Sequence, residues 1–328
     1  MHAFSFVETD SAEAAVTAVA GDARAVFFAG GTTLIDLMKL DVMTPAKLVN
    51  ISRLPVSSIQ ADADGITIGA NVRNSDLAHD PLIRQRFPVL SEALLAGASG
   101  QLRNMATTAG NLMQRTRCAY FRDVNAKCNK RQPGSGCDAL TGFNRGHAVL
   151  GTSEHCIATH PSDMCVALMI LDAIVKTQRR EGSTRSIPLS KFYVLPGETP
   201  ERETVLDHGE LITHIYLPNL PMAQHSHYLK VRDRASYEFA LASAAVALEI
   251  SGERIVHARV ALGGVATIPW RSREAEAALE DRPAVHESFV AAAEAAMADA
   301  KPREHNRFKV ELAKRTIVFA LEELMRRA

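Results

Sequence analysis

Four of the chain's five cysteines fall in one stretch, "CAYFRDVNAKCNKRQPGSGCDALTGFNRGHAVLGTSEHC", as Cys118, Cys128, Cys137 and Cys156. Thiolates bind both zinc and iron–sulfur clusters, and four of them complete either site. The intervals of nine, eight and eighteen residues match no compact ferredoxin or zinc-finger pattern, so spacing alone leaves a cluster, a zinc and inert thiols open. Five cysteines in 328 residues are too few for a disulfide scaffold and the odd count leaves one over, which favours thiolate or metal chemistry. Cys165, in "DMCVALMILDA", sits among apolar residues at helical spacing and reads as a small buried side chain. His155 and His160 flank Cys156 and are expected to be solvated or supporting, since four thiolates already fill a site. Between Arg115 and Arg145 seven basic residues stand against two acidic ones, which would offset a thiolate site's negative charge or form a solvated or docking face.

Three further stretches combine small polar residues with an apolar neighbour. In "FFAGGTTLIDLMK" a strand runs into Gly30-Gly31-Thr32-Thr33 and then a helical pattern, so the backbone could approach an anion at the helix start; a plain tight turn uses the same residues. "ATTAGNL" offers Thr107, Thr108, Gly110 and Asn111, and "THPSD" follows the cysteines. Three such loops together suit the lining of a cofactor cleft. A literal dinucleotide fingerprint at "GSGCDA" is rejected, because no apolar strand precedes it and no amphipathic helix follows.

The elements that must position these loops read as α/β. "AFSFVE" and "ARAVFFAGG" are strands around a helix "DSAEAAVTAVAG" capped by Asp10 with Glu13 three residues on. "KLVNIS" and "GITIGANV" are short strands, and "SDLAHDPLIRQRFPVLSEALLAGAS" is a helical segment opened by Ser75 and Asp76. Ser162 or Asp163 caps an apolar helix, and "YVLPGETPERE" suggests a domain boundary near Pro196. Beyond it come strands and a last helix with Val310, Ala313, Ile317, Leu321 and Leu324 on one face. The length predicts two or three domains. Lys+Arg and Asp+Glu balance at 37 each and no long apolar run occurs, which argues against nucleic-acid and membrane partners. The N-terminus carries no export signal of its own by this reading.

"FAGGTTLIDLMK", "ATTAGNL", "THPSDMCVALMILDA", "YLKVRDRASYEFALASAAVAL" and "VALGGVATIPWR" together resemble the FAD-binding subunit of the molybdenum hydroxylases, the xanthine dehydrogenase and aldehyde oxidoreductase group. The resemblance implies an α+β architecture: a vanillyl-alcohol-oxidase-type FAD-binding domain of two α/β subdomains over 1–195, then a smaller sheet-and-helix domain over 196–328. It implies that FAD lies along Val26, Phe27, Phe28, Ala29, Gly30, Gly31, Thr32, Thr33 and Leu34, with Thr107, Thr108 and Gly110 beside its pyrophosphate region. Asn111 and Asp163 would approach the flavin and ribityl chain, Ile187 would offer backbone contacts, and Lys230 would come from the C-terminal domain. One departure stands out. The "AGNL" and "PSD" segments normally lie much closer together, so residues about 112–160 are an insertion, similar to one that carries a [4Fe-4S] cluster in flavin subunits of 4-hydroxybenzoyl-CoA reductase and of bacterial three-subunit aldehyde oxidoreductases. That resemblance favours a cluster on Cys118, Cys128, Cys137 and Cys156.

The expected function is electron transfer in a heterotrimeric molybdenum-dependent aldehyde oxidoreductase. The molybdenum cofactor would sit on a large partner subunit and [2Fe-2S] centres on a small one, with a soluble acceptor taking electrons from FAD and no catalytic acid, base or nucleophile in this chain. The alternatives are the flavin subunit of a 4-hydroxybenzoyl-CoA reductase-like or xanthine dehydrogenase-like enzyme, and a zinc-stabilised, non-redox binding or assembly subunit. The expected location is cytoplasmic, or periplasmic by co-export with a partner bearing a twin-arginine signal.

Overall fold

A computed structural model describes residues 1–327. The N-terminal pattern gives β1 (Ser5–Glu8), α1 (Ala12–Ala20), β2 (Ala25–Phe28), α2 (Leu34–Lys39) and β3 (Lys47–Asn50). β3 lies between β1 and β2, parallel to both. α1 buries Val16 and Val19 against Val49 and Ile51. Its cap is Ser11, whose hydroxyl accepts from the Ala14 N–H; Asp10 is one residue too early to reach that amide.

A second sheet begins with β4 (Ile59–Ala61) and β5 (Gly65–Gly69). The expected single helical segment is three helices, α3 (Asn74–His79), α4 (Pro81–Arg86) and α5 (Pro88–Ala96). The breaks fall at Asp80 and Phe87, each followed by a proline that drives the preceding residue out of the helical region, and Asp80 caps α4 through the amides of Leu82 and Ile83. α6 (Gly100–Met105), α7 (Thr108–Leu112) and α8 (Ala119–Arg122) follow, and α9 (Asp163–Ile170) is capped by Ser162. The apolar run then turns at Asp172, φ 50°, into β6 (Ile174–Gln178), followed by β7 (Thr184–Pro188) and β8 (Leu211–Pro218). This sheet is antiparallel, ordered β4-β5-β8-β6-β7, and shares its core with α3, α5 and α9. Because β8 is its central strand, this second sheet continues past Pro196 to Pro218, beyond the boundary expected there.

The remaining chain forms an antiparallel sheet of β9 (Ser226–Val231), β10 (Ala242–Ser251), β11 (Arg254–Gly263) and β12 (Trp270–Arg271), packed on α10 (Arg273–Leu279), α11 (His286–Met297) and α12 (Phe308–Arg326). Ala313, Ile317, Leu321 and Leu324 are buried along α12 as the spacing predicts, with Val310 at the core's edge. Among the described residues no helix is long and apolar enough to cross a membrane.

The cysteine segment, between α7 and α9, is stitched into both halves. Val149 and Leu150 belong to the C-terminal core, their amides donating to the Val265 carbonyl at 2.8 and 3.0 Å. Lys309 of α12, fully buried, donates to the carbonyls of Gly146 and Gly264 at 3.0 and 2.7 Å. Burial and the nearby Arg145 charge push its ammonium down to about 7. Leu37 of α2 packs on Phe121 and Cys128 at the other end.

Candidate flavin cleft and cysteine pocket

A cavity of about 590 Å³ opens between the β2–α2 loop, the start of α7, the return limb of the cysteine segment and the 193–212 stretch. Its β2 wall is Val26, Phe27 and Phe28, and Ala29 to Leu34 turn across its floor. The first bond of α2 runs from the Ile35 N–H to the Gly31 carbonyl, 3.0 Å, so the amides of Thr32, Thr33 and Leu34 precede the helical ladder and suit an anion. Gly31 has φ 70°, and a Cβ there would lie 2.7 Å from the Phe28 ring. Gly30 is required for a different reason: its Cβ would meet the Met105 carbonyl at 2.0 Å, so this glycine serves the packing of α6.

The opposite wall is polar. Glu203 accepts from Arg115 Nε at 2.5 Å and faces Lys130 Nζ at 3.0 Å, while Lys130 also donates to the Pro200 carbonyl. Burial would raise the Glu203 carboxyl, but the two cations outweigh it and hold it below the usual range. His160 lies edge-on to Tyr193, ring centroids 4.6 Å apart, and its Nδ1 faces the Ser162 amide, which places the proton on Nε2. Burial pushes His160 down to about 3, so the ring is neutral. Asn71 donates to the Ile51 carbonyl and completes the rim.

Behind this wall, Cys118, Cys128, Cys137 and Cys156 all line one small pocket with Phe121 and Ala139. Cys128 and Cys137 face each other as an antiparallel bridge, and Cys118 is the residue before α8. The Ala158 N–H donates to Cys156 Sγ at 3.5 Å, and neighbouring backbone amides at Cys118 and Cys137 favour the thiolates. Burial nevertheless dominates, pushing Cys118 up to about 12 and Cys156 to about 11, so the bare thiols are protonated near neutrality. His147 Nε2 lies 3.1 Å from Cys118 Sγ. Among the described residues no three His, Cys, Asp or Glu side chains converge as a site for a single metal ion. Lys130, Cys156 and Ala158 line both this pocket and the large cleft.

Residues 2–220 match the profile described as the FAD binding domain in molybdopterin dehydrogenase, and residues 227–324 match the CO dehydrogenase flavoprotein C-terminal domain. The chain belongs to the FAD-binding subunits of the molybdopterin dehydrogenases. It is 53% identical to the aldehyde oxidoreductase FAD-binding subunit PaoB of Escherichia coli K12, over 98% of each chain. It is 27% identical to the glyceraldehyde dehydrogenase medium chain of Sulfolobus acidocaldarius, over 83% of this chain and 79% of that one. The solved carbon monoxide dehydrogenase of Hydrogenophaga pseudoflava superposes with a TM-score of 0.78 at 25% identity, covering 100% of this chain and 99% of that one. As a flavin subunit of this family the chain is part of an oxidoreductase of the aldehyde oxidoreductase and xanthine dehydrogenase type, with its FAD-binding domain followed by a C-terminal domain.

The large cleft of this FAD-binding subunit fits its cofactor in volume, in its apolar β2 wall and in the amides at the start of α2. Of the residues expected at FAD, Val26 through Leu34, Thr107 and Gly110 line the cleft. Thr108, Asn111, Asp163, Ile187 and Lys230 do not. Thr108 is buried, with its hydroxyl on the Val72 carbonyl, and Asn111 Oδ1 accepts from the Ser162 hydroxyl and the Gln114 amide. Asp163 is paired with Lys230 Nζ at 2.8 Å and accepts from the Tyr228 hydroxyl at 2.6 Å, and Ile187 lies in the core. Cys165 is buried as expected, 3.0 Å from the Tyr193 hydroxyl, and His155 is exposed as expected. His160, expected to be solvated or supporting, lines the cleft. The sequence reading missed Asn71, Glu203 and His147; an isolated polar residue far along the chain gives no local signal of its partner.

Proposed function

We propose that this chain is the FAD subunit of a heterotrimeric, molybdenum-dependent aldehyde oxidoreductase. The carrying observation is the near full-length 53% identity to a subunit named for aldehyde oxidation. Substrate oxidation takes place on a large subunit holding the molybdenum cofactor, and a small subunit with [2Fe-2S] centres relays electrons to this one. FAD, when bound, supplies a junction between one- and two-electron transfer and delivers to a soluble acceptor. The chain's own residues bind and orient: the 29–34 loop with Thr107 and Gly110 takes the pyrophosphate region, and Asn111, Asp163, Ile187 and Lys230 support the flavin end from behind the cleft wall.

The four cysteines hold a [4Fe-4S] cluster in this reading. Support comes from four thiols lining one pocket and from the likeness of the inserted segment to those that carry such a cluster. The cluster's role is structural and partner-docking, since it staples a segment that the fold already ties to both domains. The protein works in the cytoplasm, or in the periplasm after co-export with a partner.

The test is anaerobic addition of substrate to the complex co-purified with this chain. Bleaching of the flavin band by aromatic or aliphatic aldehydes, with none by xanthine or 4-hydroxybenzoyl-CoA, is the expected result; the reverse pattern overturns the aldehyde assignment. Metal analysis of the same sample should give iron in excess of the [2Fe-2S] centres, and zinc instead would overturn the cluster. A cluster that reduces and reoxidises at the turnover rate ahead of the flavin would overturn its structural role.

A further inference from the structure

We propose that His147 is the positioning residue of the cysteine site, donating its Nε2–H to the Cys118 sulfur and thereby setting the reduction potential of the cluster; this rests on the cluster reading above. The ring nitrogen and Cys118 Sγ are 3.1 Å apart, within a sulfur hydrogen bond. The residue is 7% exposed, and its Nδ1 is buried with no hydrogen-bond partner. A thiolate sulfur only accepts, so the single proton of a neutral imidazole belongs on Nε2 and Nδ1 is left bare.

The buried, unpartnered Nδ1 fits a ring that carries its one proton on Nε2, toward the sulfur. Its position is fixed as well. The backbone N–H bonds the Asn144 carbonyl at 3.0 Å, the carbonyl accepts from Asn306 Nδ2 at 3.3 Å, and the ring lies 6.1 Å from that of Tyr120. Asn306 is fully buried in the segment leading to α12, so the C-terminal domain holds this donor against a sulfur of the insertion. A hydrogen bond to a ligating sulfur stabilises the more negative, reduced cluster over the oxidised one, so removing it lowers the potential.

The test compares the full chain, purified with the chains that accompany it, with His147→Phe and His147→Gln. Iron content and a reductive titration followed by low-temperature paramagnetic resonance are measured on each. All three proteins should keep their iron; the midpoint of the [4Fe-4S] signal should move to more negative potential in His147→Phe and stay near wild type in His147→Gln, which retains an N–H donor. An unshifted midpoint in His147→Phe overturns the proposal. So does loss of iron from that variant, which would make the residue a ligand or a structural prop. Wild-type protein without cluster iron refutes the cluster itself, an outcome distinct from both.

Discussion

Glu203 holds two parts of the cleft wall together, and Glu203→Gln isolates its charge. The carboxylate is 28% exposed, Arg115 23% and Lys130 10%, so all three are screened less than a surface pair. Each charge-assisted bond of this kind contributes about 1.5–3 kcal/mol, and removing one member of a buried pair strands the others. Glutamine keeps an acceptor for one cation but turns an amide N–H or a neutral oxygen toward the second. With partial exposure discounted, the expected loss is about 2 kcal/mol. Because the Glu203 carboxyl lies below its usual 4.5 in the folded chain, this stabilisation is complete above that pH and is lost as the pH falls through the lower folded value. The assay is thermal unfolding of the wild type and Glu203→Gln with and without FAD, at neutral pH and near pH 3. The variant should melt lower at neutral pH, release FAD more readily because all three residues line the cleft, and approach the wild type at low pH. A variant that melts and binds FAD like the wild type at neutral pH, while Arg115→Ala does not, would refute the clamp.

Cys118→Ser, Cys128→Ser, Cys137→Ser and Cys156→Ser should each lower bound iron and soluble yield, with Cys165→Ser as the control that keeps both, since metal binding contributes to the folding of such a segment; iron analysis reads the result. Gly31→Ala should weaken FAD binding and cost about 1–2 kcal/mol, because a Cβ at φ 70° is strained and meets the Phe28 ring, while iron content stays unchanged; fluorescence titration with FAD checks it. Leu150→Ala should destabilise the C-terminal domain by about 2–5 kcal/mol through the cavity left in its core, although the residue lies far outside that domain in sequence; limited proteolysis followed by mass analysis would locate the weakened region.

What was legible in the sequence was local. The apolar face of α12 and the strand–glycine–helix turn at Gly30 and Gly31 each carry their signal within a few neighbouring residues. The helix breaks at Asp80 and Phe87 were also written locally, as X-Pro pairs, and were passed over in favour of apolar spacing. The central place of β8 was not legible, because its partners are more than 140 residues back in β5 and about 35 back in β6, and a strand's own residues do not name them. The same holds at the sites: Glu203 meets Arg115 from 88 positions away, and Asn306 meets His147 from 159. Gly30 shows the converse, a residue read for its service to a ligand whose closest constraint is the Met105 backbone.

The bonds from Val149 and Leu150 to Val265 also set an order of events during synthesis. Val265 follows Val149 by 116 positions (265 − 149), so at about 5–20 residues per second the ribosome delivers the partner roughly 6–23 seconds after the cysteine segment emerges. During that interval the five-stranded sheet receives β6, β7 and its central strand β8, but Val149, Leu150 and the Gly146 carbonyl have nothing to dock against. The 146–150 limb therefore stays undocked on the nascent chain until Val265, and then Lys309 of α12, arrive to bond it. A truncation between β8 and Val265 would leave Val149 and Leu150 permanently without this partner.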